Sequence, residues 1–201
     1  VRCWGFNLSG QIGDGTVLNI AMESREVLGL DSATDVTAGG NHACALLEDT
    51  TVRCWGGNEF GQLGDGSTVD RLEPVEVDGL SDAVVLSAGR GFTCALVRDG
   101  SVSCWGLDGL GQLGDDGDDR ARPGPVPGLA DVASLASGLL GSCAVTSDGV
   151  VACWGTAGPE ALTRSVDDGP AAVDGLPAAQ QVAVGDRGSC SSASGGAVSC
   201  W

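Results

Sequence analysis

Three groups of side chains in this chain have types and spacings that could carry chemistry: the cysteines, a single histidine and a run of aspartates. Eight of the nine cysteines fall into pairs ten residues apart, Cys44 with Cys54, Cys94 with Cys104, Cys143 with Cys153 and Cys190 with Cys200. Cys3 stands in the phase of the second member of a pair, so its partner would lie upstream of Val1. Thiols so spaced can close disulfides, ligate zinc or sit as small apolar groups in a core. The chain has no Cys-x-x-Cys and only His42 as a nitrogen ligand, which favours disulfides over zinc. His42 would be the general base of any acid–base site, but its column in the repeat is filled elsewhere by Phe92, Gly141 and Gly188, and a structural hydrogen bond is the simpler role. The run from Asp115 to Asp119 offers hard oxygens to Ca²⁺. It lacks the spacing of a calcium loop with a distant Glu, and a solvated loop is the plainer reading. The Gly-Asp-Gly turns place an aspartate where a bound phosphate would need bare amides, which argues against anion binding.

The elements that hold these residues follow from the segment between paired cysteines. In Cys94-Ala-Leu-Val-Arg-Asp-Gly-Ser-Val-Ser-Cys104, two apolar stretches flank Asp99-Gly100, and this pattern predicts a β-hairpin. A three-residue loop with glycine in the left-handed position sets Leu96 opposite Val102 and Cys94 opposite Cys104, near enough for a cross-strand disulfide. The same count holds at Asp148-Gly149 and Gly195-Gly196, whereas the first hairpin has Asp49-Thr50 and must turn without glycine. Each bridge would stabilise the fold by roughly 2–3 kcal/mol on a chain-entropy estimate. Oxidised cysteines imply a secreted, periplasmic or cell-surface location.

Every tryptophan directly follows a cysteine, at Trp4, Trp55, Trp105, Trp154 and Trp201, a period of about 50 residues that marks a repeat architecture. Each period holds a strand, the hairpin, a glycine-rich connector and a further extended stretch. The connector recurs as Gly10-Gln11-Ile12-Gly13, Gly61-Gln62-Leu63-Gly64 and Gly111-Gln112-Leu113-Gly114. Three or four short strands per period, with small or apolar residues on both faces, fit propeller blades stacked on one another. The expected units are 31–80, 81–129 and 130–176, with partial repeats at 1–30 and 177–201. The chain has 34 glycines, 3 Phe and no Tyr, so its core is made of small aliphatics and Trp. A formal charge of -17 without any basic stripe excludes a nucleic-acid partner, and no apolar run is long enough for membrane insertion. Val1 carries no initiator Met or signal pattern, which suggests a processed region or an excerpt of a longer protein.

Gly-Asn-Glu-Phe-Gly-Gln-Leu-Gly-Asp-Gly after Cys-Trp-Gly, with Ala-Gly and Cys-Ala-Leu ahead of it, resembles the regulator of chromosome condensation repeat family. The residues carrying the resemblance include Ala88, Gly89, Ala95, Leu96, Trp105, Gly106, Gly111, Gln112, Leu113 and Gly114, with counterparts such as Trp55, Gly61, Gln62 and Gly64 one period earlier. It is weakest in the last period, which lacks Gly-Gln-Leu-Gly. The resemblance implies an all-β fold of propeller blades, usually seven in a ring, and at this period a ring needs roughly 350 residues. The chain holds about four blades. Because Trp4 and Trp201 share one phase, a closed four-blade ring would have one strand too many, so an arc of a larger ring is expected.

Family members include a nuclear exchange factor for a small GTPase, a plant ultraviolet-B photoreceptor and secreted bacterial proteins, and the cysteine-containing bacterial secreted type is the nearest match. The photoreceptor's Gly-Trp-Arg-His-Thr segment is absent: the matching columns read Gly40-Asn41-His42-Ala43 and Arg90-Gly91-Phe92-Thr93. The exchange-factor role conflicts with disulfides and with the lack of a basic tail. No catalytic residue and no cofactor emerge. The expected function is a non-enzymatic protein–protein interaction module with an unidentified protein partner, displayed through loops that differ between periods. The alternatives are a carbohydrate-binding or enzyme domain completed by other blades, and a secreted enzyme inhibitor. An inhibitor would be expected to display exposed aromatics, with Phe6, Phe60 and Phe92 available.

Overall fold

The computed structural model describes residues 1–115, 117–157 and 169–201. Glycine and proline punctuation breaks the sequence into short extended segments, and these pair in chain order as antiparallel meanders. The first sheet pairs β1 (Arg2–Asn7) with β2 (Leu18–Glu26). A four-stranded sheet follows, made of β3 (Ala33–Ala38), β4 (His42–Leu47), β5 (Val52–Gly56) and β6 (Arg71–Glu76). It is repeated by β7 (Ala83–Ala88), β8 (Phe92–Val97), β9 (Val102–Gly106) and β10 (Arg120–Pro125), and again by β11 (Val132–Ser137), β12 (Gly141–Thr146), β13 (Val151–Gly155) and β14 (Ala171–Ala172). The last sheet has β15 (Ala179–Val184), β16 (Ser189–Ala193) and β17 (Val198–Cys200). The described residues contain no helix, and so none long and apolar enough to cross a membrane.

The sheets stack face to face in sequence order, with β7 against β3 and β4, β11 against β7 and β8, and β15 against β11 and β12. This stacking explains why β4, β8 and β12 are buried at five successive positions, where a half-exposed strand would alternate. The outermost strand of each full sheet is only partly covered. It can therefore carry Pro123 and Pro125, which a central strand could not accept.

Each of the three later interfaces between sheets contains the cystine of one sheet and the tryptophan of the next, while at the first Trp55 packs with the free Cys3. Cys44 and Cys54 pack with Trp105, Cys94 and Cys104 with Trp154, and Cys143 and Cys153 with Trp201. The adjacency of Cys and Trp in sequence is the cause, because neighbouring residues on a strand point to opposite faces. The four cystines join residues directly opposed in the hairpins, with Cα atoms 4.0 to 4.1 Å apart. Among the described residues Cys3 is the one free cysteine.

The hairpins share one turn. Val97 N–H donates to Ser101 O and Gly100 N–H to Val97 O, each at 2.9 Å, with Gly100 at φ 84°. In the first hairpin Leu47 and Thr50 make the same two bonds, so Thr50 is held at φ 68°. Left-handed backbone costs a β-branched residue on the order of 1–3 kcal/mol, against about 0.4–1 kcal/mol of extra unfolded-state entropy for glycine. Thr50→Gly should therefore raise stability by about 1 kcal/mol. Urea denaturation would show this as a higher midpoint at unchanged slope, and an unchanged or lower midpoint would contradict the account.

Candidate functional site

The glycine-rich connector is a socket for the next blade's tryptophan. Trp55, Trp105 and Trp154 donate their indole N–H to the main-chain oxygens of Gln11, Gln62 and Gln112 at 3.0, 2.9 and 2.9 Å, and all three rings are buried. The glutamine side chain turns back within its own loop, where Oε1 accepts the amide of Ser9, Phe60 or Leu110 and fixes the carbonyl's direction. The closing glycine has a packing reason: at Gly64, with φ 74°, a Cβ would stand 2.8 Å from Trp105 Nε1.

A second carboxamide braces each loop. Asn58 Oδ1 accepts Leu63 N–H at 2.9 Å, while its Nδ2 donates to Ser67 O at 3.0 Å and Val69 O at 3.1 Å. Asn7 repeats this with Ile12 N–H and Thr16 O. The aspartate of the following turn caps the amide two residues on, and an arginine further along holds it: Asp14 by Arg25, Asp65 by Arg71 and Asp115 by Arg120. These braces escaped sequence reasoning. The recurring Asn, Asn and Asp five residues before Ile12, Leu63 and Leu113 was the available signal.

The third loop has Asp108 in the carboxamide's place. Its Oδ1 accepts Leu113 N–H at 2.8 Å, but the buried Oδ2 has no partner. Burial pushes the carboxyl up to about 6, the Leu113 amide opposes the rise and Asp115 adds to it. Asp108 thus keeps the accepting half of the asparagine brace and lacks the amide that donates in the other loops.

His42 is buried, with Nε2 2.9 Å from Thr93 Oγ1. The Thr93 hydroxyl gives its hydrogen to Gln62 O at 2.9 Å, so the imidazole must donate from Nε2, leaving Nδ1 bare. Desolvation lowers His42 to about 4, so it is neutral at pH 7. Gln62 O thus receives both the Trp105 indole and the Thr93 hydroxyl, one for each lone pair. The histidine lies in the wall between blades, and the hydroxyl beside it, Thr93, is itself buried and bonded to Gln62 O.

Of the acidic run, Asp115 pairs with Arg120 and Asp119 Oδ1 accepts Asp108 N–H at 2.7 Å, while Asp116 lies outside the described residues. No three His, Cys, Asp or Glu side chains among the described residues converge to hold a metal. Gly155 to Gly169 lies largely outside the described residues. Phe92 is fully buried and cannot serve a partner, Phe60 is half-buried and Phe6 is exposed. Trp4 differs from its repeat counterparts at 71% exposure, because no connector loop in this chain covers it. Its ring lines a shallow depression with Arg2, Phe6 and Gln11. One concave feature among the described residues is a cleft of about 430 Å³, lined by Asn41, Phe60, Arg90, Leu107 and Leu140 together with Glu59 and Asp70.

Four-stranded meanders stacked face to face and keyed by tryptophan sockets define an open arc of β-propeller blades. Residues 33–62 and 84–112 match one model described as the Regulator of chromosome condensation (RCC1) repeat, and residues 51–96 match a second of the same description. Alsin from Rattus norvegicus is 38% identical over 85 residues, 37% of this chain and 5% of Alsin. Human WBSCR16 superposes with a TM-score of 0.84 at 20% identity, over 96% of this chain and 55% of that one. Yeast RCC1 (Prp20), solved bound to Kap60, superposes with a TM-score of 0.80 at 21% identity, over 100% of this chain and 51% of that one. The chain thus spans about half the length of these two structures.

For Asp108 the sign is that of a raised acid. Its contribution to stability is complete below the unfolded carboxyl range near 4 and is lost as pH rises through about 6. Asp108→Asn should match the wild type near pH 4 and exceed it by about 2 kcal/mol at pH 8, with other carboxylates cancelling in the difference. Paired urea titrations at the two pH values measure this, and a difference independent of pH would refute the assignment.

Proposed function

We propose that the chain is a non-enzymatic protein-recognition module working in an oxidising compartment, extracellular, periplasmic or at a cell surface. The observation that carries the reading is where the polar chemistry goes. The tryptophan indoles, His42 and Thr93 spend hydrogen bonds across the blade interfaces and the loop carboxamides brace their own loops, which leaves the outward loops free to vary. Those loops differ between repeats, as in 15–17 against 66–70 ahead of β2 and β6, whereas most of 16–25 lies in β2 itself. The likeness to yeast RCC1 (Prp20), which was solved with a bound protein, supports a protein partner, and four cystines, three of them buried, support the compartment. The repeats 31–80, 81–129 and 130–176, flanked by partial units 1–30 and 177–201, are the proposed modules.

Cross-linking capture from the native secretome, run with glycan-array and hydrolase assays on the same chain, tests the reading. A stoichiometric protein partner is expected. Glycan binding or turnover without such a partner would replace it with the carbohydrate-binding or enzymatic alternative, and inhibition of a captured enzyme would narrow it to an inhibitor. Thiol titration of the denatured, unreduced chain isolated from its source should find one free thiol, and nine would remove the compartment.

A further inference from the structure

The cleft between the third-, second- and first-repeat turns holds a cation that the chain itself does not neutralise. All ten basic residues are arginines, facing 27 carboxylates. Arg25, Arg71, Arg98, Arg120 and Arg122 each pair with an aspartate. Arg90, like Arg2, Arg53 and Arg187, makes no ion pair among the described residues, although Glu59 and Asp70 line the same cleft. Asp70 is engaged at 2.7 Å by Asn58 N–H.

The backbone fixes Arg90 in this position. Its N–H donates to Leu139 O at 3.1 Å, and Gly40 N–H to Gly89 O at 3.3 Å, so the turns of three successive blades are strung together. The Arg90 stem lies over Gly40, where a Cβ would stand 3.1 Å from Arg90 Cγ. Beside it Gly91 forms a floor under Phe60 and Leu107: a Cβ there would be 3.0 Å from the Phe60 ring and 3.5 Å from Leu107 Cβ. The result is a guanidinium fork on a braced turn, next to an apolar wall of Phe60, Leu107 and Leu140.

We propose that this cleft is the recognition site of the module and takes an extended protein segment in which one carboxylate adjoins an apolar side chain. The carboxylate meets the planar fork of Arg90, and the apolar group packs against the wall of Phe60, Leu107 and Leu140. The volume suits two or three residues. Glu59, Asp70 and the charge of -17 disfavour a polyacidic segment, which limits the partner to a single carboxylate here. The proposal rests on the protein-recognition reading and adds the surface and the chemistry of the partner.

The test titrates the whole chain with acetyl-Gly-Leu-Asp-Leu-Gly-amide, with the Asn analogue in the central position and with a Glu-Asp-Glu version. Backbone amide shifts are read by NMR. The Asp peptide should move residues 40–41, 57–60 and 90–91, bind about tenfold more tightly than the Asn analogue, and outcompete the polyacidic version. Arg90→Gln, an exposed position whose main-chain bonds are unaffected, should erase the preference for Asp while leaving the remaining spectrum unchanged. Equal binding of Asp and Asn peptides, shifts confined to other loops, or no binding at millimolar peptide would overturn the assignment. If the captured secretome partner binds Arg90→Gln as well as wild type, the cleft is wrong and the module reading stands; if no partner exists at all, the module reading itself fails.

Discussion

One contact recurs wherever two blades meet: an indole N–H donating across the gap to a main-chain oxygen in the preceding blade's glycine-rich loop. The geometry of the loop depends on it. Glutamine must fold back to aim its own carbonyl, the closing glycine must lack a side chain to admit the ring, and asparagine must brace the loop from beneath. Burying a tryptophan contributes roughly 4–6 kcal/mol before the ordering cost is subtracted. A hydrogen bond near 2.9 Å adds direction more than energy, since its net contribution is about 1 kcal/mol. Hydrophobic burial therefore holds the blades together, and the hydrogen bond selects one rotation of blade on blade.

The cystines complete the same interface from the other side. With little aromatic content beyond tryptophan, the chain fills its interfaces with Ala, Val, Leu and disulfide sulfur. A cross-strand cystine is compact and stiff. Placed against the next blade's indole, it gives the ring a fixed surface to pack on, so the dipeptide Cys-Trp supplies both halves of two successive interfaces.

Much of this was legible in the sequence because it is local. The ten-residue cysteine spacing, the Asp-Gly turn and the Cys-Trp period each follow from strand periodicity and turn chemistry within a single hairpin. The outermost strand was harder to read, because Arg120–Pro125 carries two prolines and is tolerable only where one edge needs no donors. The braces of Asn58 and Asp108 were illegible for another reason: their partners lie five to eleven residues away across a loop whose path has no periodicity. His42 could be read as structural from its varied column, but its bond to Thr93 in the next blade depends on stacking that composition does not encode. Trp4 shows the converse, since the residue type alone suggests burial, whereas burial requires a loop supplied by a preceding repeat.

The socket also constrains function. Because the interior polar groups are committed to blade contacts, differences between repeats accumulate in the turns, and Arg90 is exposed on one such turn. Indole N–H exchange with deuterium, followed by NMR, tests the central claim directly. Trp55, Trp105 and Trp154 should exchange only through global unfolding and share one protection factor, while Trp4 exchanges at the rate of a free indole. Rapid exchange at Trp105, with the backbone amides of β8 and β9 still protected, would show that the blades cohere without the socket and would contradict the account.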